Sequence, residues 1–176
     1  MRISWAALLL FLSTATGAAD NFITFVCTGN TGRSPMGEAL SKHYISERNL
    51  DIVAQSRGVN VDPGEITPEQ GTVITLKARG IDVSSHRATQ LTGNDISESG
   101  LLLTMTGKHR DKILSQYPEA KGKVFTVYEY AKGNSEDLSD PYGMPLSAYK
   151  ALETQLDELL PLALDKFDKQ NRVSKR

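Results

Sequence analysis

The segment NFITFVC, Asn21 to Cys27, is a β-branched and aromatic run of strand type. After six intervening residues begins SPMGEALSKHYISER, in which Met36, Ala39, Leu40, His43 and Tyr44 recur at helical spacing. A second strand-type run, DIVAQS (Asp51 to Ser56), comes after that helix. Neighbouring strands reached through a crossover helix pair in parallel, and such crossovers are right-handed. This strand–loop–helix–strand unit constrains the fold more than any other part of the chain.

The alternation continues. The loop RGVNVDPGEITP carries Gly58, Pro63, Gly64 and Pro68, and a helix is predicted from about Glu69 to Arg79, closed by Gly80. GLLLTM (Gly100 to Met105) reads as a buried strand, GKHRDKILSQY as a helix and GKVFTVYEY as another strand. AKGNSEDLSDPYGMP is too polar and too rich in Gly and Pro for either element and is expected to be a long loop. From Ser147 to about Lys169, a helix places Tyr149, Leu152, Leu156, Leu159, Leu160, Ala163 and Phe167 on one face, with Pro161 expected to kink it or split it into two. The fold class is α/β, a three-layer α/β/α sandwich around a four-stranded, mostly parallel sheet.

With 176 residues, 39% hydrophobic and 23% charged, the chain fits one domain. A net charge of -1 without a long block of one sign gives no electrostatic reason to expect nucleic acid as a partner. Arg2 precedes an uncharged stretch, ISWAALLLFLSTATGAA, which reads as a secretory signal peptide cleaved after Ala19, leaving a domain over residues 20–176. The alternatives are an uncleaved anchor over residues 3–19, which would put the protein at a membrane, and a mis-assigned start, which would leave it in the cytoplasm. Export places the chain where disulfides form, yet Cys27 is the only cysteine. A functional reason for that thiol is therefore more economical than a structural one.

The first loop, CTGNTGRS, supplies one. Ligands bind open parallel sheets at the carboxyl ends of the strands. Gly29 and Gly32 permit a tight loop, so the backbone N–H groups of Thr28, Gly29, Asn30, Thr31, Gly32 and Arg33 can point at one centre. Ser34 suits the N-cap and Pro35 the first helical position, so the loop opens onto a helix N-terminus that favours a phosphate-like dianion. Arg33 can grip two oxygens, and the same positive field stabilises the thiolate of Cys27. A thiolate under a cradled phosphoryl group is a nucleophile, and the chemistry that follows is a cysteinyl-phosphate hydrolysed by water. A leaving group expelled from phosphorus needs a proton, and Asp140 or its competitor Asp137, on the acidic loop, can supply it.

In these residues the chain resembles the low-molecular-weight protein tyrosine phosphatases, which share a Cys-x5-Arg-Ser phosphate loop after the first strand. RGIDVSSHRATQL and LSDPYG also look like family segments in the expected order, so the likeness covers about Phe22 to Phe167. The resemblance implies Cys27 as nucleophile, Arg33 as phosphate clamp and Asp140 as general acid. It also implies that Thr28, Gly29, Asn30, Thr31, Gly32 and Ser34 line the phosphate site, with Asn30, Ser34, Ser56 and His86 supporting the loop through hydrogen bonds. It implies a phosphorylated protein as substrate and no cofactor. His43 and His109 read as a helix-face residue and a surface residue, and three scattered histidines with one cysteine do not suggest a metal site. Related arsenate reductases need further cysteines, which this chain lacks.

The substrate is set by fewer residues. Thr31 stands where tyrosine-directed members commonly carry isoleucine, and Gly143, after Tyr142, stands where they often have a second tyrosine. Both resemble the protein arginine phosphatase branch, since a hydroxyl on the pocket wall can face a guanidinium whereas an aliphatic wall suits a phenyl ring. Against this, Asn60 occupies a region where an aromatic wall is expected for either substrate, and export fits poorly with a cytoplasmic arginine kinase. The expectation is a phosphatase with phosphoarginine favoured over phosphotyrosine. A non-catalytic phosphate-binding module is the remaining alternative. Gly32 also stands where many relatives carry a second cysteine.

Overall fold

The computed structural model describes residues 19–174. The leader expected over residues 1–19 lies outside that range except for Ala19, the first residue of β1 (Ala19–Cys27). The chain continues through α1 (Arg33–Arg48), β2 (Val53–Gly58), α2 (Gln70–Lys77), α3 (Gly93–Glu98), β3 (Ser99–Thr104), α4 (Gly107–Gln116), β4 (Val124–Thr126), α5 (Val127–Lys132) and α6 (Leu146–Ser174). All strand pairs are parallel and the order is β2-β1-β3-β4. The chain leaves β1 for β2 on one side and returns for β3 on the other. The carboxyl end of β1 is therefore the switch point at which an open α/β sheet presents its binding crevice.

Alternate residues of β1 serve opposite faces, as the strand period requires. Ile23 and Phe25 pack with Leu101 and Leu103 of β3 against Met36 and Leu40 of α1 and the Leu152–Leu160 stripe of α6. Val26 and Leu102 pack on the other side against Ile96 of α3 and Ile113 of α4. Helices thus cover both faces of the parallel sheet, leaving Val53 at the start of the edge strand β2 exposed.

Several elements differ from the sequence reading. GKVFTVYEY is strand only over Val124–Thr126, and the VYEY portion opens α5. Thr126 accepts a hydrogen bond from the Glu129 N–H at 3.0 Å while the Glu129 carboxylate accepts from the Thr126 N–H at 2.8 Å. That reciprocal cap outweighs the strand propensity of Val, Tyr and Tyr. The same device, Thr92 with Asp95, starts α3, an element the sequence reading passed over. Ser34 is not the N-cap of α1; Gly32 is, without a side-chain cap, because the Ser34 hydroxyl is engaged with the loop. Helix α6 is a single element through Pro161. Leu156, Leu159, Leu160, Ala163 and Leu164 are buried on both sides of that proline, and this packing outweighs a lost backbone hydrogen bond, worth ~3 kcal/mol with its steric cost.

Among the described residues, no helix is long and apolar enough to cross a membrane.

Candidate active site

The loop between β1 and α1 is held by its carbonyl groups. Cys27 O accepts from the Val59 N–H at 3.0 Å, Thr28 O from the Asn60 N–H at 2.9 Å and Thr31 O from the Glu69 N–H at 2.9 Å. Asn30 O accepts from His86 Nε2 at 2.8 Å, and Gly32 O accepts from the Met36 N–H at 3.1 Å. In a trans peptide the carbonyl and the following N–H point in opposite directions. Five carbonyls anchored to the surrounding scaffold therefore turn the N–H groups of Thr28, Gly29, Thr31, Gly32 and Arg33 towards the cavity, an anion nest at the N-terminus of a helix. Gly58, at the end of β2, allows the close approach, since a Cβ there would meet the Thr28 carbonyl oxygen at 2.6 Å.

Cys27, 3% exposed, sits at the base of this nest. Its Sγ accepts from the Asn30 N–H at 3.3 Å and lies 3.0 Å from the Ser34 hydroxyl. Asn30 is fully buried with φ at 59°, a left-handed conformation that asparagine tolerates better than most residues. Its side-chain amide donates to Ser34 Oγ and to Ser56 Oγ, both at 2.9 Å, and its Oδ1 accepts from the Thr89 N–H at 2.9 Å. Ser56 in turn donates to Glu38 at 2.5 Å. Asn30, Ser34, Ser56 and His86, expected to support the loop, are thus one connected network behind it.

Arg33 is 8% exposed and donates from Nη2 to Asp140 Oδ2 at 2.8 Å. Asp140 Oδ1 accepts from the Tyr142 N–H at 3.2 Å, a local turn in the acidic loop that the Arg33 contact ties to the site. Asp137, the competing acid, instead accepts from the Gly107 N–H at 2.7 Å at the start of α4. Cys27, Thr28, Gly29, Thr31, Gly32, Arg33, Asp140 and Tyr142 all line one cavity of about 270 Å³, and Gly143 does not. A thiol under a ring of amides, with a guanidinium and a carboxyl at the mouth, matches what phosphoryl transfer through sulfur requires.

Residues 22–173 match the family model described as low molecular weight phosphotyrosine protein phosphatase. The chain belongs to this family. It is 36% identical over 146 residues to a protein-arginine-phosphatase of Geobacillus stearothermophilus, covering 82% of this chain and 95% of that protein. It is also 36% identical over 132 residues to a probable low molecular weight protein-tyrosine-phosphatase of Ralstonia nicotianae, covering 74% of this chain and 86% of that one. Among solved structures, a YwlE arginine phosphatase with a phosphorylated active-site serine superposes with a TM-score of 0.81 at 35% identity, covering 86% of this chain and 98% of that one.

The phosphatase cavity also contains side chains the sequence reading had not assigned to it. Asp62, Glu65 and Glu69 line it, and Asn60 stands in its wall. Glu69 accepts from the Thr31 hydroxyl at 3.0 Å and from the Tyr149 phenol at 2.7 Å, and the Tyr142 phenol donates to Glu65 at 3.3 Å. Loop placement decides these contacts, so no local pattern announced them. His109, read as a surface residue, is 7% exposed and bridges Thr28 Oγ1 at 2.8 Å to Thr106 Oγ1 at 3.0 Å. Burial, reinforced by the charge of Arg33, pushes its pKa down to about 4. His109 therefore holds the phosphate loop as a neutral imidazole. Its Thr-Gly-Lys-His setting at a helix start gave no sign of burial. Among the described residues, no group of three or more His, Cys, Asp or Glu is placed to hold a metal ion.

Proposed function

We propose that this phosphatase removes phosphate from protein side chains through a cysteinyl-phosphate, with phosphoarginine favoured over phosphotyrosine. Cys27 Sγ attacks phosphorus while Asp140 gives its proton to the departing nitrogen or oxygen, so that an S–P bond forms as the P–N or P–O bond breaks. Asp140 then takes a proton from water, whose oxygen attacks phosphorus and releases the thiolate. Arg33 and the inward N–H groups hold the equatorial oxygens, and the Ser34 hydroxyl donates to the thiolate. The observation that carries the mechanism is the outward anchoring of the loop carbonyls, which aims the amides at a dianion above Cys27.

The observation that favours phosphoarginine is the lining. Thr31, Asp62, Glu65 and Glu69 give the wall a hydroxyl and three carboxylates, acceptors that suit the N–H groups of a guanidinium and have no counterpart on a phenyl ring. Tyr142, exposed at the rim, favours the second reading, since its ring can stack on a phosphotyrosine. The test is steady-state hydrolysis of phosphoarginine and phosphotyrosine by the purified protein and by Cys27→Ser and Thr31→Ile variants. The arginine reading expects a phosphoarginine preference that Thr31→Ile reverses. Activity surviving in Cys27→Ser overturns the mechanism. An exported location remains our proposal on residues 3–19 alone, and a fused reporter active only outside the cytoplasm tests it.

A further inference from the structure

We infer that Glu69 is a positioning residue that sets substrate preference by fixing which way the Thr31 hydroxyl points; this rests on the arginine reading above. An ionised carboxylate only accepts hydrogen bonds, and a threonine hydroxyl has one proton. Thr31 spends that proton on Glu69 Oε1 at 3.0 Å. What the Thr31 hydroxyl then offers the cavity is lone pairs alone. A phosphorylated guanidinium brings N–H donors beside phosphorus and can satisfy them; a phosphotyrosine brings an ester oxygen and ring C–H groups and cannot.

Glu69 is held in turn. Its Oε2 accepts from the Tyr149 phenol at 2.7 Å, and its own N–H donates to the Thr31 carbonyl at 2.9 Å. Tyr149 is buried, and burial first, then the Glu69 carboxylate, raise its pKa above the ordinary value, so the phenol keeps the proton it donates. Gly32 completes the arrangement. A side chain there would run into the Glu69 carboxylate, so the absence of a Cβ at position 32 is what lets Glu69 reach Thr31. A relay from Tyr149 on α6, through Glu69 at the start of α2, thus fixes one hydroxyl on the phosphate loop.

The readout is the ratio of kcat/KM for free phosphoarginine to that for phosphotyrosine, measured on the purified protein. In Glu69→Gln the Tyr149 phenol takes the amide oxygen, the amide nitrogen donates to Thr31, and the Thr31 proton turns into the cavity. The ratio is expected to fall about tenfold, the worth of one hydrogen bond to a charged group. In a Thr31→Val background the same Glu69→Gln change is expected to move the ratio by less than about twofold, because nothing remains to be oriented. An unchanged ratio in the Thr31 background overturns the inference, as does an equal change in both backgrounds, which would make Glu69 a bulk charge. Equal loss on both substrates also overturns it, leaving Glu69 a purely structural role. A parent enzyme that prefers phosphotyrosine defeats the arginine reading itself, and this inference with it. That failure is visible before any variant is made.

Discussion

Replacing Asn30 separates two costs that the phosphate loop combines. Asn30→Ala removes donors to Ser34 and Ser56 and the acceptor of the Thr89 N–H, each in a fully buried setting. Three neutral hydrogen bonds at about 1 kcal/mol each give about 3 kcal/mol. Alanine at a φ of 59° adds a left-handed penalty of about 1 kcal/mol that asparagine largely avoids. Asn30→Gly loses the same hydrogen bonds but carries no such penalty. The expectation is a loss of about 4 kcal/mol for Ala and about 3.5 kcal/mol for Gly, the latter including about 0.5 kcal/mol from the looser unfolded chain. Urea unfolding at neutral pH, with an unchanged slope in denaturant, measures both. A loss in Gly larger than that in Ala would show that the conformation at Asn30 is unstrained, because only the looser unfolded chain would then separate the two. Losses below about 1 kcal/mol in both would show that the network does not support the loop.

Asp140→Asn keeps the hydrogen-bonding shape beside Arg33 but removes the transferable proton; kcat is expected to fall about 10²–10⁴-fold, least for an aryl phosphate with a good leaving group. A uniform loss across leaving groups would argue against proton donation. His109, titrating at about 4 in the fold, takes its proton near pH 6.5 in the unfolded chain, so its stabilising contribution is complete above about pH 6.5 and lost as the pH falls towards 4. The protein should lose about 2–3 kcal/mol by about pH 4.5 through this group, and a His109→Gln variant should lose correspondingly less in urea titrations. Peroxide should inactivate the enzyme without an intramolecular disulfide, because Cys27 has no second cysteine to pair with, and intact-mass analysis of the oxidised protein checks it.

The alternation of strands and helices, the parallel pairing and the loop after β1 were all legible in sequence, because each rests on local periodicity or on residues within one turn. Cys27, Arg33 and the glycines between them could be read together for the same reason: the loop brings them to one centre by its own short path. The failures were local contests with a second signal. Thr126 and Glu129 cap a helix in residues whose side chains favour a strand, and Thr92 with Asp95 does so in a stretch with no marked apolar period. Pro161 is a different case: it was expected to kink the last helix or split it in two, and long-range burial keeps that helix one element.

The nucleophile and the phosphate cradle were thus determined by the sequence itself, since a strand end, a tight loop and a helix N-terminus are consecutive in the chain, whereas the packing of the later loop decides where Asp140 stands. The surroundings that select a substrate were decided only by tertiary structure. Thr31, Glu69 and Tyr149 come from the first loop, the start of α2 and the start of α6, and their hydrogen bonds exist only because the packed sheet and helices bring those segments together. Direction matters as well as distance. Thr31 is a donor or an acceptor towards the cavity according to which neighbour takes its proton, and only the fold supplies that neighbour.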